Sequence, residues 1–241
     1  MRACKVICTY FGVRRGIHNT PTTSASMLEL FKQSIEFERT VDAGVPMDTI
    51  IVNNEAGFVG GDEYLQSLRG SDTKNGRFLV YNRFNVGGGF GAFSDVFHQH
   101  KADYDYWLFC EDDILIFRDG YYADAIAQMT ANPKAGFIAF SPISHTAPFH
   151  CGGGFGISSR EALEKVAAHN NGFLPVAAHN NYGSFEQTEI RFTSIFAEIG
   201  YDLMPFEKYS PLAQNYKAHA GQMGYVSEHN LSRDHFYRVG N

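Results

Sequence analysis

The chain has little that would staple it, anchor it or bind it to a polyanion. Four cysteines occur in 241 residues, at positions 4, 8, 110 and 151, and none has zinc-ligand spacing. Cys4 and Cys8 fall on one face of an opening strand and read as buried free thiols, which suits a reducing, cytoplasmic setting. No apolar run approaches the roughly 18 residues of a membrane span, and residues 1–10 are too short and polar for a signal peptide. Basic residues are not in excess. The formal charge of -6 argues against a nucleic-acid partner, whose phosphates demand a basic face. There is no internal repeat, no low-complexity tract and no linker, so residues 1–241 are expected to form a single domain. A chain of this length buries about 70 % of its unfolded surface and needs no staple.

What is present is an alternation of short apolar runs with helical patterns. Residues 3–11 read as a first strand, followed by a polar loop over residues 12–21 and then a helix whose Leu28, Phe31 and Ile35 form one apolar stripe. Residues 48–54 make a second strand, a short helix lies near 62–68, and residues 77–82 make a third strand. A glycine-rich turn then feeds a helix with Phe93, Val96 and Phe97 inward. Residues 106–110 are the fourth strand, 121–131 a helix and 135–142 a fifth strand. This order predicts an α/β fold: a Rossmann-like, doubly wound, mainly parallel sheet with helices on both faces. Ligands of such sheets bind beyond the carboxyl ends of the strands. Thr9 and Tyr10, Asn53 and Asn54, Asn82 and Arg83, and Glu111 to Asp113 collect at those ends.

The acidic triplet Glu111, Asp112 and Asp113 demands compensation, because like charges beside a buried strand repel and resist desolvation. A hard divalent cation is one solution; a solvated turn or a helix cap is the other. Further on, the glycines of residues 152–156 would let backbone approach a ligand or a second strand. Ser158 or Ser159 then caps a helix. Residues 183–203 read as a helix stopped by Gly200, with Ile195 and Ile199 inward and Glu186 and Glu189 three apart near its start. A carboxylate there is either a helix-dipole partner or a general base facing the cleft. The tail carries His229 and His235, which are surface groups unless the tail folds back over the cleft.

Taken together these segments resemble the GT-A glycosyltransferases, most closely the inverting family 2 type that uses nucleotide-sugar donors. ICTYFG and IIVNNEAG look like its first two nucleotide-binding strands. FNVGGGFGAF resembles its N-x-G-x-x-x-A turn through Asn85, Gly87 and Ala92. CEDD stands where the family has D-x-D, with Glu111 first and Asp113 last. GFGISSREALEKV is similar to its R-x-A-L helix. TEIR ahead of AEIGY resembles its E-D…R…G-Y segment and puts Glu189 on the catalytic base. The likeness is inexact: Glu111 replaces an aspartate, Thr188 a glutamate and Asn53 an acid.

The resemblance implies a nucleotide-binding half over about residues 1–117 and an acceptor-binding half and tail over about 118–241. It implies that a sugar passes from a nucleoside-diphosphate donor to a hydroxyl of a glycan, glycoprotein or glycolipid, with a hexosyl or deoxyhexosyl group transferred. Thr9, Tyr10, Gly12, Asn53, Arg83, Asn85, Glu111 and Asp112 would meet the donor. Asp113, joined by His229, would hold Mn²⁺ or Mg²⁺, and Glu189, or Glu186 one turn away, would be the base. Two other readings fit a related sheet. A sugar-phosphate nucleotidyltransferase needs a glycine-rich first loop that FGVRRGIHNTPTT imitates loosely, and a non-catalytic nucleotide-sugar-binding module would bind without turnover.

Overall fold

Seven consecutive residues, Ala3–Thr9 (β1), are buried along their whole length, so this strand has a hydrophobic partner on each face. In the computed structural model, which describes residues 1–9, 16–17, 20–21, 24–54, 59–112, 114–116, 118–141, 143, 150–177, 186–206 and 237–239, it is the central strand. Gly16–Ile17 (β2) and Thr20–Pro21 (β3) form a small antiparallel pair inside the stretch read as a loop. Then follow Ser24–Thr40 (α1), Met47–Asn53 (β4), Val59–Leu68 (α2), Phe78–Asn82 (β5), Gly88–His100 (α3), Tyr106–Glu111 (β6) and Ile114–Ile116 (β7). The second half supplies Tyr121–Ala131 (α4), Ala135–Ala139 (β8), Gly156–Ser159 (β9), Arg160–His169 (α5), Arg191–Glu198 (α6), Asp202–Pro205 (β10) and Tyr237–Val239 (β11).

The main sheet has seven strands in the order β10-β8-β9-β6-β1-β4-β5. All neighbouring pairs are parallel except those made by β9, which runs against both β6 and β8. The expected mainly parallel, doubly wound sheet is therefore present. Alternation along β1 sends Ala3 and Ile7 to one core, shared with α1, α2 and α4. It sends Cys4, Val6 and Cys8 to the other, shared with α3, α5 and α6. All four cysteines are buried free thiols. Leu28, Phe31 and Ile35 on one side and Phe93, Val96 and Phe97 on the other are buried as their spacing requires.

Most boundaries shift by a residue or so, and two differ more substantially. The strand expected to run to residue 142 ends at Ala139. The helix expected within 183–203 does stop at Gly200, which has φ 85°, but it opens as a π-helical turn, Glu186–Ile190, before α6, and Asp202–Pro205 beyond it form a strand. A period-3.6 pattern cannot reveal an i→i+5 turn, and residues 202–205 carry no β-branched residue to announce a strand. Of the two candidate caps, Ser159 is the one used: its Oγ accepts from the Ala162 N–H at 3.2 Å.

Two features of the fold bear on the site. Gly156 packs so closely on β8 that a Cβ there would lie 2.4 Å from the Ile138 carbonyl oxygen, so the glycine lets a second strand approach. The tail strand β11 pairs antiparallel with β7, Val239 opposite Ile114, and so brings the end of the chain beside the residue that follows Asp113. Among the described residues no helix is long and apolar enough to cross a membrane.

Lys5 is the one charge on β1, and it is wholly buried. Its ammonium pairs with Glu38 of α1, whose other carboxylate oxygen accepts from Thr49 Oγ1 at 2.8 Å. Removing one member leaves a buried charge uncompensated. Lys5→Met is expected to cost about 3–5 kcal/mol in chemical denaturation, and Lys5→Met/Glu38→Leu to recover most of that loss.

Candidate active site

The parallel register puts the strand ends in one row. Thr9 of β1 lies opposite Asn53 of β4, Asn53 opposite Asn82 of β5, and Cys8 opposite Glu111 of β6. Apart from Lys5 in β1 and Asp48 and Thr49 in β4, the strands β1, β4, β5 and β6 are apolar until their last residue, Thr9, Asn53, Asn82 and Glu111, so polarity gathers where the sheet ends. These side chains interlock. Asn53 Nδ2 donates to Asp62 Oδ1 at 2.8 Å and, less closely, to Asn82 Oδ1 at 3.3 Å, while Thr9 Oγ1 makes a long 3.5 Å contact to Asn53 Oδ1. Asn53 and Thr9 are wholly buried.

Arg83 is engaged on three sides. Nε donates to Asp95 Oδ2 at 2.8 Å, Nη1 to Asn54 Oδ1 at 2.7 Å and Nη2 to the Val86 carbonyl at 2.9 Å. Asn54 Nδ2 in turn donates to the Gly88 carbonyl at the start of α3. Arg83 thus ties the end of β4 to the glycine-rich turn that contains Asn85. A guanidinium suits this work because its fork presents several fixed donors at once.

At the end of β6, Glu111 is half-buried and Asp112 is wholly buried, so in this conformation the Asp112 carboxylate is enclosed by the chain. Across from them the π-helical turn presents Glu189, which is half-buried. Burial raises the Glu189 pKa above the usual carboxylate value. The nearby backbone of Gly153 opposes this, the charge of Glu111 adds to the rise, and His150 opposes it. Glu111 and Glu189, distant in sequence, therefore feel each other's charge at one edge of the sheet.

Gly153 reaches this edge because β9 is reversed. β9 starts where the parallel strands end, with Gly156 opposite Phe109 and Ser159 opposite Tyr106, so the 3-10 turn Gly152–Gly154 sits just ahead of it. Gly153 has φ 63° and Gly154 φ 60°, a left-handed pair that few other residues would adopt. Burial pushes the thiol of Cys151, beside them, up to about 12, which disfavours the thiolate.

Of the residues expected at the site, Thr9, Asn53, Arg83, Asn85, Glu111, Asp112 and Glu189 fall within the described part of the chain. Tyr10, Gly12, Asp113 and His229 lie outside it, as does the side chain of Glu186. Among the described residues no group of three His, Cys, Asp or Glu side chains stands ready for a metal. The donor chemistry at the end of β6 is carboxylate oxygen, which suits a hard divalent ion. Sequence reasoning missed Asp62, Asp95 and His150 as partners of the site; it expected the glycines around Gly153 to approach a ligand or a second strand, but not their link to Glu189. Asp62 and Asp95 carry no motif, and nothing in spacing links residues 150–153 to residue 189.

No family model and no curated protein matches the sequence. Among solved structures, the fold is similar to residues 1–349 of S. aureus TarS, with 13 % identity and a TM-score of 0.52 over 85 % of this chain. The chain spans 57 % of that structure's length. It is also similar to CMP:2-keto-3-deoxy-manno-octonic acid synthetase complexed with CTP, with 14 % identity, a TM-score of 0.50, and 92 % of this chain and 99 % of the other covered. The fold is GT-A-like: a Rossmann-like α/β sheet, mostly parallel, of the kind its neighbours share.

The raised Glu189 pKa has a thermodynamic consequence. A carboxyl that holds its proton more tightly when folded stabilises the native state below its unfolded pKa near 4.3, and that contribution is lost as pH rises through the folded value. In metal-free buffer, Glu189→Gln is therefore expected to melt higher than wild type at pH 7, with the difference closing below about pH 4. Equal melting temperatures at pH 7 would contradict the burial and repulsion assigned to this carboxylate.

Proposed function

We propose that the chain is a glycosyltransferase that moves a sugar from a nucleoside-diphosphate donor to an acceptor hydroxyl with inversion at the anomeric carbon. The observation that carries this reading is the meeting of Glu189 with the acidic end of β6 at the carboxyl edge of a GT-A-like sheet. One carboxylate with a raised pKa faces another at the strand end, which is the pairing a general base and a donor site require.

In this reading the nucleotide lies along the row Thr9, Asn53, Asn82 and Glu111, with Tyr10, Gly12 and Asn85 alongside. Arg83 acts by holding Asn54 and the glycine-rich turn in place. Glu189 accepts the proton of the acceptor hydroxyl as its oxygen bonds to the anomeric carbon. The bond to the diphosphate oxygen breaks on the opposite face, and the electron pair leaves with the diphosphate. Asp113, with His229 from the returning tail, is assigned to Mg²⁺ or Mn²⁺. The pairing of β11 with β7 supports that placement because it draws the tail toward the acids. A bound divalent ion supplies charge neutralisation for the departing diphosphate. The acceptor is a glycan, glycoprotein or glycolipid hydroxyl.

A panel of nucleotide sugars with Mn²⁺ or Mg²⁺, scored for the released nucleotide product, tests the reading. One donor is expected to yield nucleoside diphosphate. Pyrophosphate release from a nucleoside triphosphate and a sugar phosphate would instead make the chain a nucleotidyltransferase, and binding without turnover would make it a binding module. Glu189→Gln should lower kcat by about 10²–10⁴-fold while leaving the donor Kd unchanged. Asp113→Ala should abolish turnover. If Glu189→Gln stays active and Glu186→Gln does not, the base is Glu186.

A further inference from the structure

Glu189 is held by a turn that does not belong to its own helix, and one buried hydroxyl joins the two. Thr193, in the first turn of α6, is almost wholly buried. Its Oγ1 accepts the Cys151 N–H at 2.8 Å and lies 3.5 Å from the Glu189 carbonyl oxygen, one helical turn back. Cys151 immediately precedes the Gly152–Gly154 turn, and the backbone of Gly153 lies close enough to the Glu189 carboxylate to lower its pKa. From the other side Ser141 Oγ donates to the Gly152 carbonyl. Phe90 and Phe192 close on Gly154, where a Cβ would lie 2.9 Å from the Phe90 ring. The glycine turn is thus fixed on three sides, and Thr193 is the side that connects it to the element bearing Glu189.

We propose that Thr193 is a positioning residue for Glu189: its hydroxyl, which accepts the Cys151 N–H, locks the glycine turn to the π-helical turn and so fixes Glu189 against the end of β6. This rests on Glu189 being the base, as proposed above. The chemistry needs a hydroxyl at this place. A β-branched side chain with one stiff torsion reaches both segments, whereas valine has the same shape and no hydrogen-bonding group. An unsatisfied Cys151 N–H would let the turn relax, and small displacements of a catalytic group lower rates steeply.

The test compares Thr193→Val and Thr193→Ser with wild type by steady-state kinetics on the donor found in the panel, and by amide hydrogen exchange of ¹⁵N-labelled protein. Thr193→Val is expected to lower kcat by roughly 10- to 100-fold with the donor KM within about two-fold. Thr193→Ser, which keeps the hydroxyl, is expected to restore most of the rate. The Cys151 amide should exchange slowly in wild type and Thr193→Ser and rapidly in Thr193→Val, while amides of β1, β4 and β6 stay protected in all three. Wild-type kcat in Thr193→Val, an equal loss in both variants, or an unchanged Cys151 amide would each overturn the proposal. The exchange measurement decides it even if no donor is turned over, a result that would count against the glycosyltransferase reading instead. If Thr193→Val does not fold, Thr193→Ala serves the same comparison, since the smaller side chain leaves room for water at the Cys151 N–H.

Discussion

The parallel, in-register pairing of β1 with β4 on one side and β6 on the other is the constraint on which the site depends. Because β1 is buried on both faces, a one-residue slip would drive Lys5 and the alternating apolar residues into the wrong core. The same register fixes where the strands stop. Thr9, Asn53, Asn82 and Glu111 come out as a row, and the buried Lys5–Glu38 pair beneath them secures α1 to the sheet. A site built on rigid strand ends can hold polar groups within tolerances that loops alone would not keep.

The second constraint is the reversed strand. Were β9 parallel to its neighbours, the glycines before it would lie at the opposite edge of the sheet, far from β6's acidic end. Running antiparallel, it delivers Gly153 to the edge where Glu111 emerges. The π-helical turn arrives there as well, because α6 leads into β10, a parallel strand that begins at the far edge. Two segments from the second half of the chain therefore flank one strand end from the first. Their joint effect is to keep a half-buried carboxylate, Glu189, close to another of the same sign. Such an arrangement opposes stability, and this supports the binding role proposed for the edge.

Five of the seven sheet strands, β1, β4, β5, β6 and β8, were legible in the sequence because each is a mainly apolar run that gives way to polar residues, and because the helical stripes sit between them at βαβ spacing. The row of strand-end residues followed from the same signal. The direction of β9 was not legible: GISS is four residues long and says nothing about orientation. Nor was the π-helical turn, since Phe192, Ile195 and Phe196 give the same stripe whether or not the preceding turn is wide. The partners of Glu189 come from residues some 40 positions earlier, brought near only by the reversed strand, and no local pattern could report them. Arg83, expected to meet the donor, has a set of protein partners that no sequence pattern announces.

The central claim is that the edge between Glu111 and Glu189 receives the diphosphate of a nucleotide together with a divalent ion. The most direct measurement is a crystal soaked with nucleoside diphosphate and Mn²⁺, read by anomalous scattering. The account predicts a metal peak about 2.1 Å from a carboxylate oxygen of the acidic segment at the end of β6, with the diphosphate on it and Glu189 facing the far side. A nucleotide bound elsewhere, with no metal peak beside that strand end, would contradict it.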